Sequence, residues 1–129
     1  MGRKADPKDS LSLVTPVKLS QFLPSLNEDI SDGITFVPAE WSGFFRHKVP
    51  TLRPMVNLHV HLIPPDVWND YLRLAFGSDQ TDELLTKYNI RLVVTDRRRN
   101  GPLIQFMRTA SDFEQVYVDA QCRVFRRRN

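Results

Sequence analysis

The hydrophobic pattern of the last third of the chain changes period at each boundary between predicted elements. Leu84, Leu85 and Tyr88 recur at helical spacing after Thr81, which predicts a short helix. Residues 90–95 form a nearly unbroken run of apolar and β-branched side chains. Such a run is typical of a strand that is covered on both faces. We therefore expect this segment to be a central, parallel strand of a sheet.

A second helix and a hairpin are predicted after this strand. Asn100, Gly101 and Pro102 open the helix, because proline is tolerated at the first helical positions, where its missing N–H would have no partner. Residues 113–119 and 122–126 then alternate apolar and polar positions on either side of a short connection. This pattern predicts an antiparallel hairpin that closes one edge of the sheet.

The first half of the chain predicts a matching set of elements. Apolar residues at helical spacing over residues 16–26 predict a helix that Pro24 disturbs. Residues 29–33 are predicted as a polar turn, and the β-branched and aromatic run over residues 34–37 predicts the first strand. Pro38 ends that strand, since proline cannot donate a hydrogen bond to a sheet.

A further strand and a helix are predicted between these two parts. Residues 55–63 are interpreted as the second strand, which Pro64 and Pro65 terminate. Asp66 is expected to cap the helix that follows, and Gly77 is expected to end it.

The order of these elements predicts an α/β fold. Strands that alternate with helical connections pair in parallel through right-handed crossovers. We expect a small three-layer sandwich with an open mixed, mostly parallel sheet and a C-terminal antiparallel hairpin. Residues 15–129 are predicted to form a single α/β domain, preceded by a polar tail or linker at residues 1–14.

Composition narrows the classes of protein that fit this chain. At 129 residues the chain suits one domain with an independent core. It carries 18 Lys and Arg against 15 Asp and Glu, and much of the excess lies in Arg97–Arg99 and Arg126–Arg128. The single cysteine, Cys122, excludes an intramolecular disulfide and a multi-cysteine metal site. No run of about 18 apolar residues is present, so the chain as given is not predicted to span a membrane.

His59 and His61 give the sharpest local chemical signal. In a strand they share a face, so both could reach one metal ion or one phosphate. Metal-dependent amidohydrolases open on a His-x-His strand but need further ligands, and His47 is the only other histidine. Histidine-triad nucleotide hydrolases alternate three histidines with apolar residues, which would make His59 the nucleophile, but Asn57 stands where the first histidine belongs. We expect strand histidines without chemistry, no metal and no cofactor, and keep a nucleotide phosphohydrolase using His59 and His61 as the alternative.

The ends of the predicted strands supply the other candidate residues. In open α/β sheets, ligands lie beyond the carboxyl ends of the parallel strands. These ends deliver Glu40 and Trp41, then His61, then Arg97. We take these four residues as the candidates for binding a ligand.

Asp66 and Asp70 form a carboxylate pair four residues apart, which places them on one helix face. General acid and base catalysis would need one of them to be buried. We expect Asp66 to cap the helix and Asp70 to face solvent instead.

The arginine-rich segments suggest anionic partners. Residues 96–100 follow a strand and precede a helix, where amides and guanidinium groups can hold phosphate. The Gly-x-x-x-x-Gly-Lys pattern is absent and charge runs usually face solvent, so we favour a solvated turn. Arg126–Arg128 would suit acidic lipid headgroups or nucleic acid. Nucleic acid is not expected, because Tyr117 and Phe125 alternate like sheet residues rather than forming an exposed aromatic face.

Several short motifs resemble one family over nearly the whole chain. Residues 39–44 are similar to a Glu-Trp-Gly-Gly-Tyr type motif, and residues 85–90 to a Lys-Tyr-Gly-Val type turn into an apolar strand. Residues 102–103 precede a hairpin in which residues 116–119 and 124–125 match Val-Tyr-x-Asp and Val-Phe. Together they resemble the soluble C-terminal domain of bacterial multi-pass membrane proteins of the glycosyltransferase-like kind, of uncharacterised function.

This resemblance implies an extracytoplasmic, periplasmic domain joined to a membrane portion, in which acidic loops of the membrane portion carry sugar transfer. We therefore expect a non-catalytic accessory domain that contacts a glycan, a lipid-linked substrate, its own transmembrane region or the membrane surface. Where the family commonly shows an Asp-Gly-Arg element, this chain has His59-Val60-His61-Leu62, so no ligand role is carried over to that element.

Overall fold

Strand β2 (Ile90–Asp96) lies inside the sheet in the computed structural model, which describes residues 16–56 and 63–128. The sheet has four strands in the order β1-β2-β4-β3, where β1 is Ile34–Phe36, β3 is Phe113–Val118 and β4 is Cys122–Arg127. β2 pairs in parallel with β1 and antiparallel with β4, and β3 and β4 form the C-terminal hairpin. The predicted central strand and the predicted hairpin are therefore confirmed.

A helix is present at each of the four places where the apolar period predicts one, and the described residues form two further short helices, Asn27–Asp32 and Ser42–Lys48. Pro24 coincides with a change from α-helix to 3₁₀-helix, because proline removes a helical hydrogen bond. The described helices are α1 Val17–Phe22, α2 Asn27–Asp32, α3 Ser42–Lys48, α4 Pro65–Phe76, α5 Thr81–Lys87 and α6 Gly101–Thr109, with 3₁₀ turns at Leu23–Leu26 and Ala39–Trp41. Among the described helices, none combines the length and apolar character that crossing a bilayer requires.

The two faces of the sheet carry separate hydrophobic cores. Phe36, Val93 and Phe125 belong to a core that packs under α4, α5 and α6. Leu92 and Val124 belong to a second core, covered by α1, α2 and α3. Neighbouring residues of one strand thus enter different cores, as the alternation of side chains along a strand requires. This confirms the predicted three-layer α/β fold with an open mixed sheet.

The direction of strand pairing differs from the prediction. We expected a mostly parallel sheet, but the described strands form one parallel and two antiparallel pairs. The reason is that β4 returns from the hairpin and inserts between β2 and β3 instead of leaving β3 beside β2.

The predicted second strand is only partly within the described residues. Met55 and Val56 form a bend, and residues 57–62 lie outside the described part of the chain. Pro54 forms an isolated parallel bridge with Thr35 of β1, supported by hydrogen bonds from the Thr35 amide to Arg53 and from the Met55 amide back to Thr35. The segment before the predicted strand therefore covers the outer side of β1.

Two local predictions were wrong. Residues 29–33 are not a turn, because α2 continues to Asp32 and buries Asp29, whose carboxylate lies 3.1 Å from Arg91. Asp66 does not cap α4, because the capping position is Pro64 and Asp66 lies in the first turn. Gly77 does end α4 as predicted, with a φ of 82° that favours glycine.

Gly33 joins α2 to β1 at a place where another segment approaches closely. A Cβ atom there would collide with the Arg91 side chain and lie 2.6 Å from the Asn89 carbonyl oxygen. Because the carbonyl belongs to the backbone leading into β2, we predict that Gly33→Ala lowers the free energy of unfolding by about 1–3 kcal/mol.

Gly101→Ala is the matched control for this substitution, measured by urea unfolding of both variants. No heavy atom lies within 4 Å of a Cβ at Gly101, which opens α6. The stability of this variant should stay the same or rise. A Gly33→Ala variant as stable as Gly101→Ala would contradict the close approach.

Candidate functional site

A cleft of about 110 Å³ opens beyond the carboxyl ends of β1 and β2. Because these two strands are parallel, the segments that follow them meet at one edge of the sheet. Pro38, Ala39 and Glu40 come from the segment after β1, and Arg99 and Asn100 come from the turn after β2. Helix α4 forms the opposite wall. The cleft therefore lies where the order of the strands predicts a ligand site.

Stacked aromatic rings line the α4 wall. Trp68 stacks on Tyr71 with ring centroids 5.3 Å apart, and Tyr71 stacks on Phe36 of the core at 5.4 Å. The Tyr71 hydroxyl accepts a hydrogen bond of 2.6 Å from the Ala39 amide. Burial raises the pKa of Tyr71 to about 12, so the hydroxyl stays protonated near neutral pH. This contact fixes the turn that carries Glu40.

The mouth of the cleft carries an ion pair and an exposed ring. Arg99 Nη1 lies 2.6 Å from Glu40 Oε2, and its Nε lies 3.6 Å from Asp96 Oδ2. The side chains of Glu40 and Arg99 are about half exposed, at 51% and 50%. Phe76, also in the lining, is 61% exposed. A solvent molecule or ligand can therefore reach a carboxylate, a guanidinium and an aromatic face together.

The backbone amides of the turn after β2 donate hydrogen bonds to other groups of the protein. The amides of residues 98–100 donate to the Asp96 side chain or carbonyl, and the Arg97 amide donates to Gln121. Asn100 accepts from the Asp96 amide at 2.8 Å and donates to the Ala75 carbonyl of α4 at 2.8 Å. These amides are engaged and do not face a phosphate. The turn serves as a fixed wall that places Arg99 at the cleft.

The four predicted ligand-binding candidates occupy different places. Glu40 lines the cleft, as the position of its strand predicts. Trp41 is only 3% exposed and lies in the core covered by α1, α2 and α3. Arg97 donates to the Asp119 carbonyl at 2.8 Å and holds the hairpin turn, outside the cleft. His61, like His59 of the alternative prediction, lies outside the described residues.

Sequence reasoning missed most of the cleft lining. Trp68, Leu72 and Phe76 are spaced four residues apart along α4 and share one face. In the sequence, the apolar positions of α4 form a stripe that is too wide for one buried face. Tyr71 and Ala75 already fill the side of the helix that packs on the core. That excess width is a usable sequence sign of an apolar surface beside a site.

The lining supplies recognition chemistry. It combines one carboxylate, one guanidinium, one amide and aromatic surface, which together can accept and donate hydrogen bonds and cover an apolar face. In the described part of the chain, no group of three His, Cys, Asp or Glu side chains could hold a metal ion.

Asp70 forms a second polar cluster and corrects a prediction. Rather than facing solvent, it is 5% exposed and accepts hydrogen bonds from Tyr88 at 2.6 Å, Lys87 at 2.9 Å and Arg73 at 3.0 Å. The bonds from Tyr88 and Lys87 lower the pKa of Asp70 below its ordinary value of 3.8. This network ties the end of α5 to α4 and so supports the helix that forms the cleft wall.

No protein-family model, no curated protein and no solved structure matches the chain. The resemblance drawn from the sequence motifs therefore stays a hypothesis, and the interpretation of the cleft rests on its own geometry.

The Asp70 network predicts a pH-dependent contribution to stability. Asp70→Asn removes the charge that three donors share, so the free energy of unfolding at pH 7 should fall by about 1–3 kcal/mol. Because folding lowers the pKa of Asp70, this contribution is present above its unfolded value near 3.8 and is lost as the pH falls further. The free energies of unfolding of wild type and Asp70→Asn should therefore converge at acid pH.

Asp79→Asn is the control for this comparison, because Asp79 is exposed in the connection between α4 and α5. It should change stability little at any pH. A gap between wild type and Asp70→Asn that persists unchanged at the lowest pH would argue against an ionised Asp70 as the source.

Proposed function

We propose that this chain is a non-catalytic accessory domain of a membrane protein, and that its cleft contacts a sugar ring of a glycan or lipid-linked substrate. The observation that carries the proposal is the Trp68 and Tyr71 stack facing the Glu40 and Arg99 pair across one small cleft. Each part of this arrangement matches one part of a sugar ring.

The aromatic wall suits the apolar side of a sugar. A pyranose ring presents several C–H groups on one face, and aromatic side chains offer large, rigid apolar surfaces that pack against such groups. Trp68 is partly exposed in the lining and is held in place by Tyr71, which the Ala39 amide fixes in turn. A ring that is held before binding loses little conformational entropy when a ligand arrives.

The ion pair suits the hydroxyl edge of a sugar. A carboxylate accepts two hydrogen bonds and a guanidinium donates several in one plane, so the pair can engage neighbouring hydroxyl groups. The opposite charges of Glu40 and Arg99 largely cancel at 2.6 Å. The mouth therefore favours a neutral, hydroxyl-rich group over a strongly charged one.

The size of the cleft limits what enters it. Pockets for whole drug-sized ligands typically measure about 300–1,000 Å³, whereas this cleft measures about 110 Å³. It suits one ring at the end of a larger molecule, with the remainder in solvent. Recognition of one ring through few contacts is expected to be weak, with a Kd on the order of millimolar.

The membrane context rests on the motif resemblance, which one backbone feature supports. Asn89 has a φ of 51°, in the left-handed region that favours glycine. The Lys-Tyr-Gly-Val type turn of the resembled family carries glycine at this position. Asn89 in this chain and glycine in the family motif would meet the same need for a left-handed backbone conformation. Because this supports the resemblance, we place the domain, as part of the proposal, on the extracytoplasmic face of a membrane.

Sugar binding at the cleft is testable on the isolated chain. Neutral hexoses and N-acetylhexosamines are titrated into isotope-labelled protein while the indole N–H signal of Trp68 is followed by NMR. At least one sugar should shift this signal with saturation. Arg99→Ala should weaken that binding about tenfold, because it removes charge-assisted hydrogen bonds to the ligand.

Arg98→Ala is the matched control, since Arg98 is exposed in the same turn but does not line the cleft. It should bind like wild type. The proposal fails if no sugar shifts the Trp68 signal, or if Arg98→Ala weakens binding as much as Arg99→Ala does.

A further inference from the structure

A second concavity, of about 400 Å³, lies between the C-terminal end of α6 and the β3–β4 hairpin. Among the described residues, none lines both this concavity and the cleft beyond β1 and β2. Arg108, Arg123 and Arg128 line it, and Glu114 is the only acidic side chain among the described residues of this lining. We call this concavity the basic groove.

The acidic residue of the basic groove is already neutralised. Glu114 lies 2.6 Å from Arg126, which is not part of the lining, and 3.6 Å from Arg128. The Arg126 hydrogen bond, with the nearby charges, lowers the pKa of Glu114 and keeps it ionised in these pairs. Because Glu114 is paired with Arg126 and Arg128, its negative charge does not compensate the positive charges of Arg108 and Arg123.

The remaining two guanidinium groups have no carboxylate partner in the described part of the chain. Arg123 Nη1 donates to the neutral side-chain oxygen of Gln115 at 2.8 Å. Arg108 forms no ion pair with any described residue. It lies in the last turn of α6, whose C-terminal end carries about half a negative elementary charge. An excess of more than one positive charge remains in the groove.

We propose that the basic groove binds a phosphate or diphosphate group. Guanidinium groups bind phosphate oxygens with two parallel hydrogen bonds, which a carboxylate-free arginine is free to form. The floor contains Met107, Phe113 and Phe125, each less than 5% exposed. Because these three side chains are almost fully covered, polar groups form most of the groove surface that an anion can reach.

Two sources would present the same chemistry. One is a soluble compound with a phosphate or diphosphate group, and the other is the headgroup of an anionic lipid at a membrane surface. The volume of about 400 Å³ accommodates a diphosphate together with part of the group it is attached to. The inference stands apart from sugar binding at the cleft, so either can fail without the other.

Two probes test the groove on the full chain. Inorganic pyrophosphate is titrated in a calorimeter, and sedimentation is measured with phosphatidylcholine vesicles that contain or lack phosphatidylglycerol. Binding to either probe should weaken as salt is added. The variant Arg108→Gln/Arg123→Gln should bind at least about tenfold more weakly, because both unpaired guanidinium groups are removed.

The matched control is Arg46→Gln/Arg98→Gln, which removes the same net charge from exposed positions outside the groove. It should bind within about twofold of wild type. Circular dichroism of each variant checks folding, and Arg108→Gln alone, at an exposed position, replaces the double variant if that one unfolds.

Each outcome of the experiment is informative. Pyrophosphate binding without vesicle binding identifies a soluble phosphate compound, and binding only to vesicles with phosphatidylglycerol identifies a lipid headgroup. The proposal is overturned if neither probe binds, or if the control double variant weakens binding as much as the groove variant.

Discussion

Burial of β2 on both faces is the constraint on which the rest of this structure depends. Leu92, Val93 and Val94 are all 0% exposed, and burying an aliphatic side chain of this size contributes about 1.5–3 kcal/mol. Two covering layers are therefore needed, and the chain supplies α1, α2 and α3 for one and α4, α5 and α6 for the other. Because β1 pairs with β2 in parallel, the segments leaving both strands meet at one edge, where α4 completes the cleft.

The local sequence pattern was sufficient to predict most of the helices and strands, but not how the strands pair. The run over residues 90–95 indicated a buried strand because its composition requires cover on both faces. Whether the strand on the other side of β2 runs parallel or antiparallel to it depends on where β4 enters the sheet. The hydrophobic period of a single segment does not encode this position. The helix α2 was missed because Asp29 looks polar in sequence, whereas Arg91, 62 residues further along, supplies the partner that lets it be buried.

The same distinction applies to the candidate site. The rule about strand ends places Glu40 at the edge of the sheet where the cleft opens, independent of side-chain detail. Among the three consecutive arginines, the internal hydrogen bonds of the turn direct Arg99 to the cleft and Arg97 to the hairpin. Asp70 was misjudged for a related reason, since its donors Lys87 and Tyr88 lie 17 and 18 residues away, at the C-terminal end of α5. Long-range polar partners decide such positions, and apolar spacing does not reveal them.

Native-state hydrogen exchange of the backbone amides tests the central role of β2 most directly. If both covering layers depend on this strand, the amides of its central residues should exchange only through global unfolding, with a free energy equal to that from urea unfolding. The amides of the edge strand β3 should exchange faster, through local opening. Exchange of the β2 amides at the rate of β3, well below the global free energy, would contradict this account.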